Sequence, residues 1–175
     1  TDVAELDYSN LEMQEAMRQD MLYWLEQFHI DGFRCDMAGG QTEAFWSETI
    51  QALRDHSPEI FMLAESNFPQ MHDVGFDATY GWEFHHLINE VARGDKGTDE
   101  LHQYILRDAD KFPKDSYRLL FIDNHDENSW NGTVASRLGN NAHAAYVLCA
   151  TLPNAIPLIY SGQEVGLNHS LRLAI

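Results

Sequence analysis

The stretch His29-Ile30-Asp31-Gly32-Phe33-Arg34-Cys35-Asp36-Met37-Ala38-Gly39-Gly40 decides the reading of the fold. The five residues from Gly32 to Asp36 are too few, and too tightly bounded by glycine, for a helix; they predict a buried strand that finishes in polar residues, with Gly39-Gly40 opening a loop. Upstream, Asn10 is an N-cap candidate for a helix over Leu11 to Phe28, in which Met13, Ala16, Met17, Met21, Trp24, Leu25 and Phe28 recur at helical spacing. Thr1 to Asn10 read as the middle of a loop. Downstream, a helix over Thr42 to His56 buries Phe45, Trp46, Ile50 and Leu53 and cannot continue through Pro58. A short apolar strand, Ile60 to Ala64, then runs into Glu65.

The alternation continues. A weaker strand near Phe76 to Tyr80 precedes helices near Trp82 to Ala92 and Thr98 to Asp110. A strand over Arg118 to Ile122 leads into Asp123-Asn124-His125-Asp126, and a helix near Asn141 to Leu152 leads to the strand Ile156 to Tyr160. Short apolar strands alternating with helices predict βα units, a parallel sheet and right-handed crossovers: an α/β fold of five strands. An open doubly wound sheet and part of a barrel both satisfy that count. No glycine-rich phosphate loop follows any strand, which argues against a nucleotide-binding fold.

Composition narrows the partners. The 175 residues are 44% hydrophobic and 11% aromatic, enough for a real core, and the formal net charge of −17 with only 11 Lys and Arg disfavours nucleic acid and anionic membrane surfaces. A neutral sugar is indifferent to that field. The apolar stretch from Ala144 to Tyr160 is interrupted by Pro153, Asn154 and Pro157, so it is no membrane span. Cys35 and Cys149 lie in apolar stretches without metal-ligand spacing and read as buried free thiols.

Three strands end in acids: Asp36 after the first, Glu65 after the second, Asp126 after the fourth. In parallel α/β folds the carboxyl ends of the strands share one edge, so these acids are expected on a common face. Cleavage of a glycosidic bond with retention needs a proton donor and a carboxylate about 5 to 5.5 Å apart. Strand alternation puts Arg34 on the side of Asp36, where its charge would keep that carboxylate ionised. Glu65, after Phe61-Met62-Leu63-Ala64, is expected in an apolar setting that raises its pKa. His125 offers hydrogen bonds to sugar hydroxyls.

Gly32-Phe33-Arg34-Cys35-Asp36, Leu63-Ala64-Glu65 and Phe121-Ile122-Asp123-Asn124-His125-Asp126 resemble, in order and spacing, the fourth-, fifth- and seventh-strand motifs of the α-amylase family, glycoside hydrolase family 13. Gly75-Phe76-Asp77 to Tyr80 is similar to the family's sixth strand, and Ile156 to Glu164 to its eighth strand and following loop. The resemblance implies the C-terminal part of a (β/α)₈ TIM barrel, about strands 4 to 8, from the third barrel helix onward. It implies Asp36 as nucleophile, Glu65 as acid then base and Asp126 as transition-state stabiliser, with Arg34 and His125 supporting them at the substrate. The activity implied is retaining cleavage of α-1,4-glucosidic bonds in starch-type glucans or maltooligosaccharides. An α-glucosidase or transglycosylase of the same family is the alternative, as is a fragment that only binds sugar or a partner segment.

Two departures qualify the resemblance. Family members that are typical starch amylases often carry Lys-His where this chain has Gly39-Gly40, which puts leaving-group contacts and a backbone calcium ligand in doubt. Counterparts of the first three strands are missing, so a calcium ion and the remainder of the barrel are expected, if present, in a longer enzyme; the alternative is self-association. No metal ligands are expected among the nine histidines: His85 and His86 diverge on a helix, and His29, His56, His72 and His102 lack partners at ligand spacing. Trp24, Trp46, Trp82 and Phe84 read as packing residues, whereas Trp130, in the polar loop after Asp126, is the candidate for stacking on a glucose ring.

Overall fold

A computed structural model describes residues 6–171. The expected loop at the start is therefore visible only from Leu6, where Asn10 N–H donates to Asp7 O at 3.0 Å in a turn; its first five residues lie outside the described ones, as do residues 172–175. The chain divides into two compact units, Thr1–Thr79 and Tyr80–Ile175.

The first unit opens with α1 (Leu11–Phe28). Asn10 Oδ1 accepts from the N–H groups of Glu12 and Met13, satisfying two of the donors that a helix start leaves orphaned. His29, with φ of 51°, closes the helix by donating to Leu25 O. Leu25 is its one fully buried side chain among the described residues, with Met17, Met21 and Leu22 packed part-buried against the same core. Trp24 and Phe28 fall at the flank of that face and are about half exposed, their rings 4.7 Å apart, so the reading of Trp24 as a core residue is corrected.

Strand β1 (Gly32–Cys35) pairs in parallel with β2 (Phe61–Ala64), Gly32 opposite Phe61 and Cys35 opposite Ala64. Between them α2 (Glu43–His56), capped by Thr42 Oγ1, buries Phe45, Trp46, Ile50 and Leu53 against Met62 and Ala64. Trp46 donates its indole N–H to Ala38 O at 2.9 Å, tying α2 to the turn after β1. A short helix, α3 (Gln70–Asp73), leads to β3 (Ala78–Tyr80), which pairs with β2 through Leu63 and Ala64. Gly32 is required where it stands: its φ is +153°, and a Cβ there would lie 1.9 Å from Phe61 O.

The second unit contains α4 (Trp82–Arg93), α5 (Asp99–Lys111), β4 (Tyr117–Leu120), α6 (Val134–Leu138), α7 (Ala142–Thr151) and β5 (Ala155–Pro157). β4 and β5 pair in parallel, Arg118 opposite Ala155. Phe84, Leu87, Leu120, Ile122, Leu138 and Cys149 belong to its core. Arg118 is 3% exposed within this packing because Asp108 Oδ2 receives its Nε–H at 3.2 Å and its guanidinium covers the Phe112 ring at 4.0 Å.

Strand ends differ from expectation by a few residues. β4 stops at Leu120, although Phe121 and Ile122 stay buried, and β5 ends at Pro157, which has no N–H to donate. Both cysteines are free and buried, and burial pushes each thiol up to about 12. No helix of the described residues is long and apolar enough to cross a membrane.

Candidate active site

In the first unit, one guanidinium joins two carboxylates. Arg34 Nη1 lies 2.5 Å from Asp36 Oδ1, as strand alternation requires of residues two apart, and its Nη2 lies 2.8 Å from Glu65 Oε1 on the neighbouring strand. The register that sets Cys35 opposite Ala64 makes this reach available, and it continues one step further where Glu65 N–H donates to Cys35 O at 2.9 Å. Met37 turns into the left-handed region at φ of 45°, and its N–H donates to Glu65 Oε2 at 2.8 Å.

The setting expected for Glu65 is therefore corrected. Its side chain is largely buried at 11% exposure, but both carboxylate oxygens meet donors, a guanidinium and a backbone amide, rather than apolar groups. The apolar residues before it point elsewhere: Met62 and Ala64 are buried in the core and Phe61 is 40% exposed. Asp36, in contrast, is 74% exposed at its side chain. The Met37 amide is a contact that sequence reasoning missed, since only the backbone twist after β1 aims it.

Gly39 and Gly40 sit in a single 3₁₀ turn with Ala38. A Cβ on Gly39 would lie 3.0 Å from Ser66 Oγ and 3.1 Å from the Phe68 ring, whereas a Cβ on Gly40 meets nothing within 4 Å. The half-exposed Phe68 ring thus occupies the space beside Gly39 that a longer side chain would use.

In the second unit, the segment after β4 carries His125, Asp126 and Trp130. His125 Nε2 lies 3.5 Å from Asp126 Oδ2, both side chains somewhat over a third exposed, and Trp130 is 66% exposed in a π-helical turn, Glu127–Asn131. The residues around them are buried. Asn124 Oδ1 accepts from Glu127 N–H, Asn128 donates to Asp123 Oδ2, and Arg137 Nη2 lies 2.7 Å from Asp123 Oδ1. Burial raises the pKa of Asp123, against the contacts from Asn128 and Arg137 that pull it down.

His85, read as a helix histidine without ligand partners, is 1% exposed and faces Glu127 Oε2 at 3.1 Å through Nε2. Its ring stacks on Phe121. Burial lowers its pKa, and the neighbouring Glu127 carboxylate acts in the opposite sense. No spacing rule joins His85 to Glu127 or Arg137 to Asp123, so sequence reasoning had no signal for either pair.

Parallel βα units with Asp36 and Glu65 just past the carboxyl ends of β1 and β2 define a class: an α/β protein with acids at the strand edge where such folds carry their sites. The comparisons with known proteins make it specific. The α-amylase catalytic domain family matches residues 1–172, and the chain belongs to that family of glycoside hydrolases. It is 28% identical over 167 residues to an α-amylase, MalA, of Haloarcula japonica, covering 94% of this chain and 24% of that protein. It is 25% identical to an intracellular maltogenic amylase of Bacillus subtilis, covering 95% and 29%.

Among solved structures, a maltogenic α-amylase, AmyB, from Thermotoga neapolitana superposes with a TM-score of 0.88 at 29% identity over 99% of this chain and 40% of that one. An α-amylase from Lactobacillus plantarum gives 0.83 at 27% identity, covering 97% and 43%. The fold is that of the later part of an amylase (β/α)₈ barrel, and the chain spans about a quarter of the length of the curated relatives it matches.

Proposed function

We propose that the protein carrying this chain is a retaining glycoside hydrolase that cleaves α-1,4-glucosidic bonds of starch-type glucans or maltooligosaccharides. The observation that carries the reading is the Arg34 guanidinium contacting Asp36 and Glu65 at once, in a family whose members act on glucosidic bonds. Asp36 attacks the anomeric carbon while Glu65 protonates the departing glycosidic oxygen, which leaves a covalent β-glucosyl ester on Asp36. Glu65, now a carboxylate, takes a proton from water as the water attacks the same carbon, and Asp36 departs with the α-configuration restored. By the family resemblance Asp126 is the transition-state stabiliser and His125 supports it at the substrate, and the exposed Trp130 offers a glucose ring an aromatic face.

Maltogenic amylases and a cyclomaltodextrinase among the relatives support an α-glucan substrate, and leave transfer to a second sugar as the alternative to hydrolysis. Among the described residues no group of three or more His, Cys, Asp or Glu could hold a metal ion. A calcium site in a longer enzyme is proposed to draw its side-chain ligands from elsewhere.

The test uses the polypeptide that carries this chain with its natural flanks. Asp36→Asn is expected to lower turnover on maltooligosaccharides by about 10⁴-fold or more with binding retained, and NMR of the first-formed product to show the α-anomer. A β-anomer, or near-normal turnover of the Asp36→Asn enzyme, would remove the double displacement.

A further inference from the structure

The segment from Ile122 to Gly132 is a loop closed at its neck by one side chain. Arg137, 9% exposed at its side chain, donates from Nη2 to Ile122 O at 2.9 Å and to Asp123 Oδ1 at 2.7 Å, where the segment leaves β4. From Nε it donates to Gly132 O at 3.1 Å, where the segment ends. Its remaining nitrogen, Nη1, donates to Asn89 Oδ1 at 3.3 Å, and Asn89 in turn donates to His85 O at 2.8 Å, anchoring the neck to α4. Within the loop, Glu127 faces the buried His85. Between these fixed points, Asp126 and His125 are partly exposed and Trp130 is mostly so.

A planar guanidinium is suited to this task because its donors diverge in fixed directions and can meet several acceptors at once, which an ammonium on a flexible stem cannot do. We propose that Arg137 is a positioning residue, a clasp that joins both ends of the Ile122–Gly132 loop and so fixes where Asp126, His125 and Trp130 stand. This rests on the reading of Asp126 as a group that acts on the substrate. Arg137 touches none of the three directly through the contacts above; it acts through the backbone that carries them. Asn128 and Ser129 are also tied to Ser170 and Leu171, so what Arg137 alone fixes is the join between the two ends of the loop; releasing that join shifts the backbone that carries Asp126, and a displacement of about 1 Å is enough to cost about 100-fold in rate.

Arg137→Lys is the informative variant, because it keeps a positive charge opposite Asp123 and gives up the simultaneous reach to Ile122 O and Gly132 O. In the natural polypeptide, kcat on maltooligosaccharides is expected to fall about 30-fold or more while KM stays within about threefold, since misplacement of Asp126 weakens transition-state contacts more than ground-state binding. Amide hydrogen exchange within residues 124–131 is expected to quicken about tenfold or more while amides of α4 and β4 keep their wild-type rates. Wild-type exchange in the loop would overturn the clasp, and so would a uniform acceleration that includes α4 and β4, which a general stabilising role predicts. If Arg137→Lys does not fold, Asp123→Asn with Arg137→Gln leaves no buried charge unpaired and is judged by the same exchange pattern. Asp126→Asn, measured in parallel, keeps the two readings apart: normal turnover there removes the role of Asp126, while the exchange pattern still decides the clasp.

Discussion

Arg34 Nη2 lies 2.8 Å from Glu65 Oε1, a contact between adjacent strands that puts a fixed positive charge on the carboxyl assigned as proton donor as well as on Asp36. A donor so placed has to be judged by geometry: Arg34 and the Met37 amide orient both oxygens of Glu65, and the order of the proton transfers then depends on what the bound sugar does to these contacts.

Arg34→Lys tests that orientation. A lysine supplies a point charge to one carboxylate at a time, so turnover is expected to drop about 100-fold or more with a smaller change in KM. Steady-state kinetics on a maltooligosaccharide decide it, and a kcat within about threefold of wild type would show that the bridge orients nothing.

Gly32→Ala tests the strand pairing beneath the site. The added methyl would meet Phe61 O, a backbone atom of the paired strand, at a φ that L-residues rarely adopt. A loss of about 3 kcal/mol or more is expected from the combined clash and strain. Urea denaturation measures it, and an unchanged midpoint would mean that β1 and β2 are not held in this register.

His85 should make stability depend on pH with a definite sign. Its folded pKa lies below the 6.5 of a free histidine, chiefly because the ring is buried. Between the two values the unfolded chain binds the proton and the folded chain does not, so the stability that neutral His85 contributes is complete above 6.5 and is lost as the pH falls toward the folded value. Comparing urea midpoints of wild type and His85→Gln from about pH 7.5 down to about pH 5.5 isolates the term, and the advantage of wild type should shrink on acidification. An advantage that grows as the pH falls would reverse the assignment.

The isolated chain should not behave as a lone, active monomer. Among the described residues β1 pairs only with β2 and β5 only with β4, so each presents a second edge of backbone donors and acceptors to whatever lies beside it. Light scattering with intact mass is expected to find the 175-residue chain self-associated, or folded only together with further parts of its barrel. A well-folded 20.1 kDa monomer that hydrolyses maltooligosaccharides would defeat this expectation.

The elements were legible wherever local chemistry fixes them. Asn10 and the apolar spacing after it mark α1 to the residue, and Gly32, Thr42 and Pro58 bound β1 and α2. The places of Asp36 and Glu65 were equally legible, since each directly follows a short apolar strand, whereas Asp126 stands six residues past the end of β4. Short pieces were not: α3, α6 and the π-helical turn carry too few residues for a period to register.

What the tertiary structure alone decided is which charges meet. Glu65 sits beside Arg34 because parallel register sets two strands side by side although 30 residues of chain separate the pair, and Arg137 reaches Asp123 because the loop between them folds back on itself. Such contacts depend on the angles at which elements leave the sheet, which no residue encodes locally. Amino-acid order determined the family, the strands and the acids that follow them; packing determined that Glu65 meets one guanidinium and one backbone amide, and that a largely buried arginine side chain closes the loop carrying Asp126.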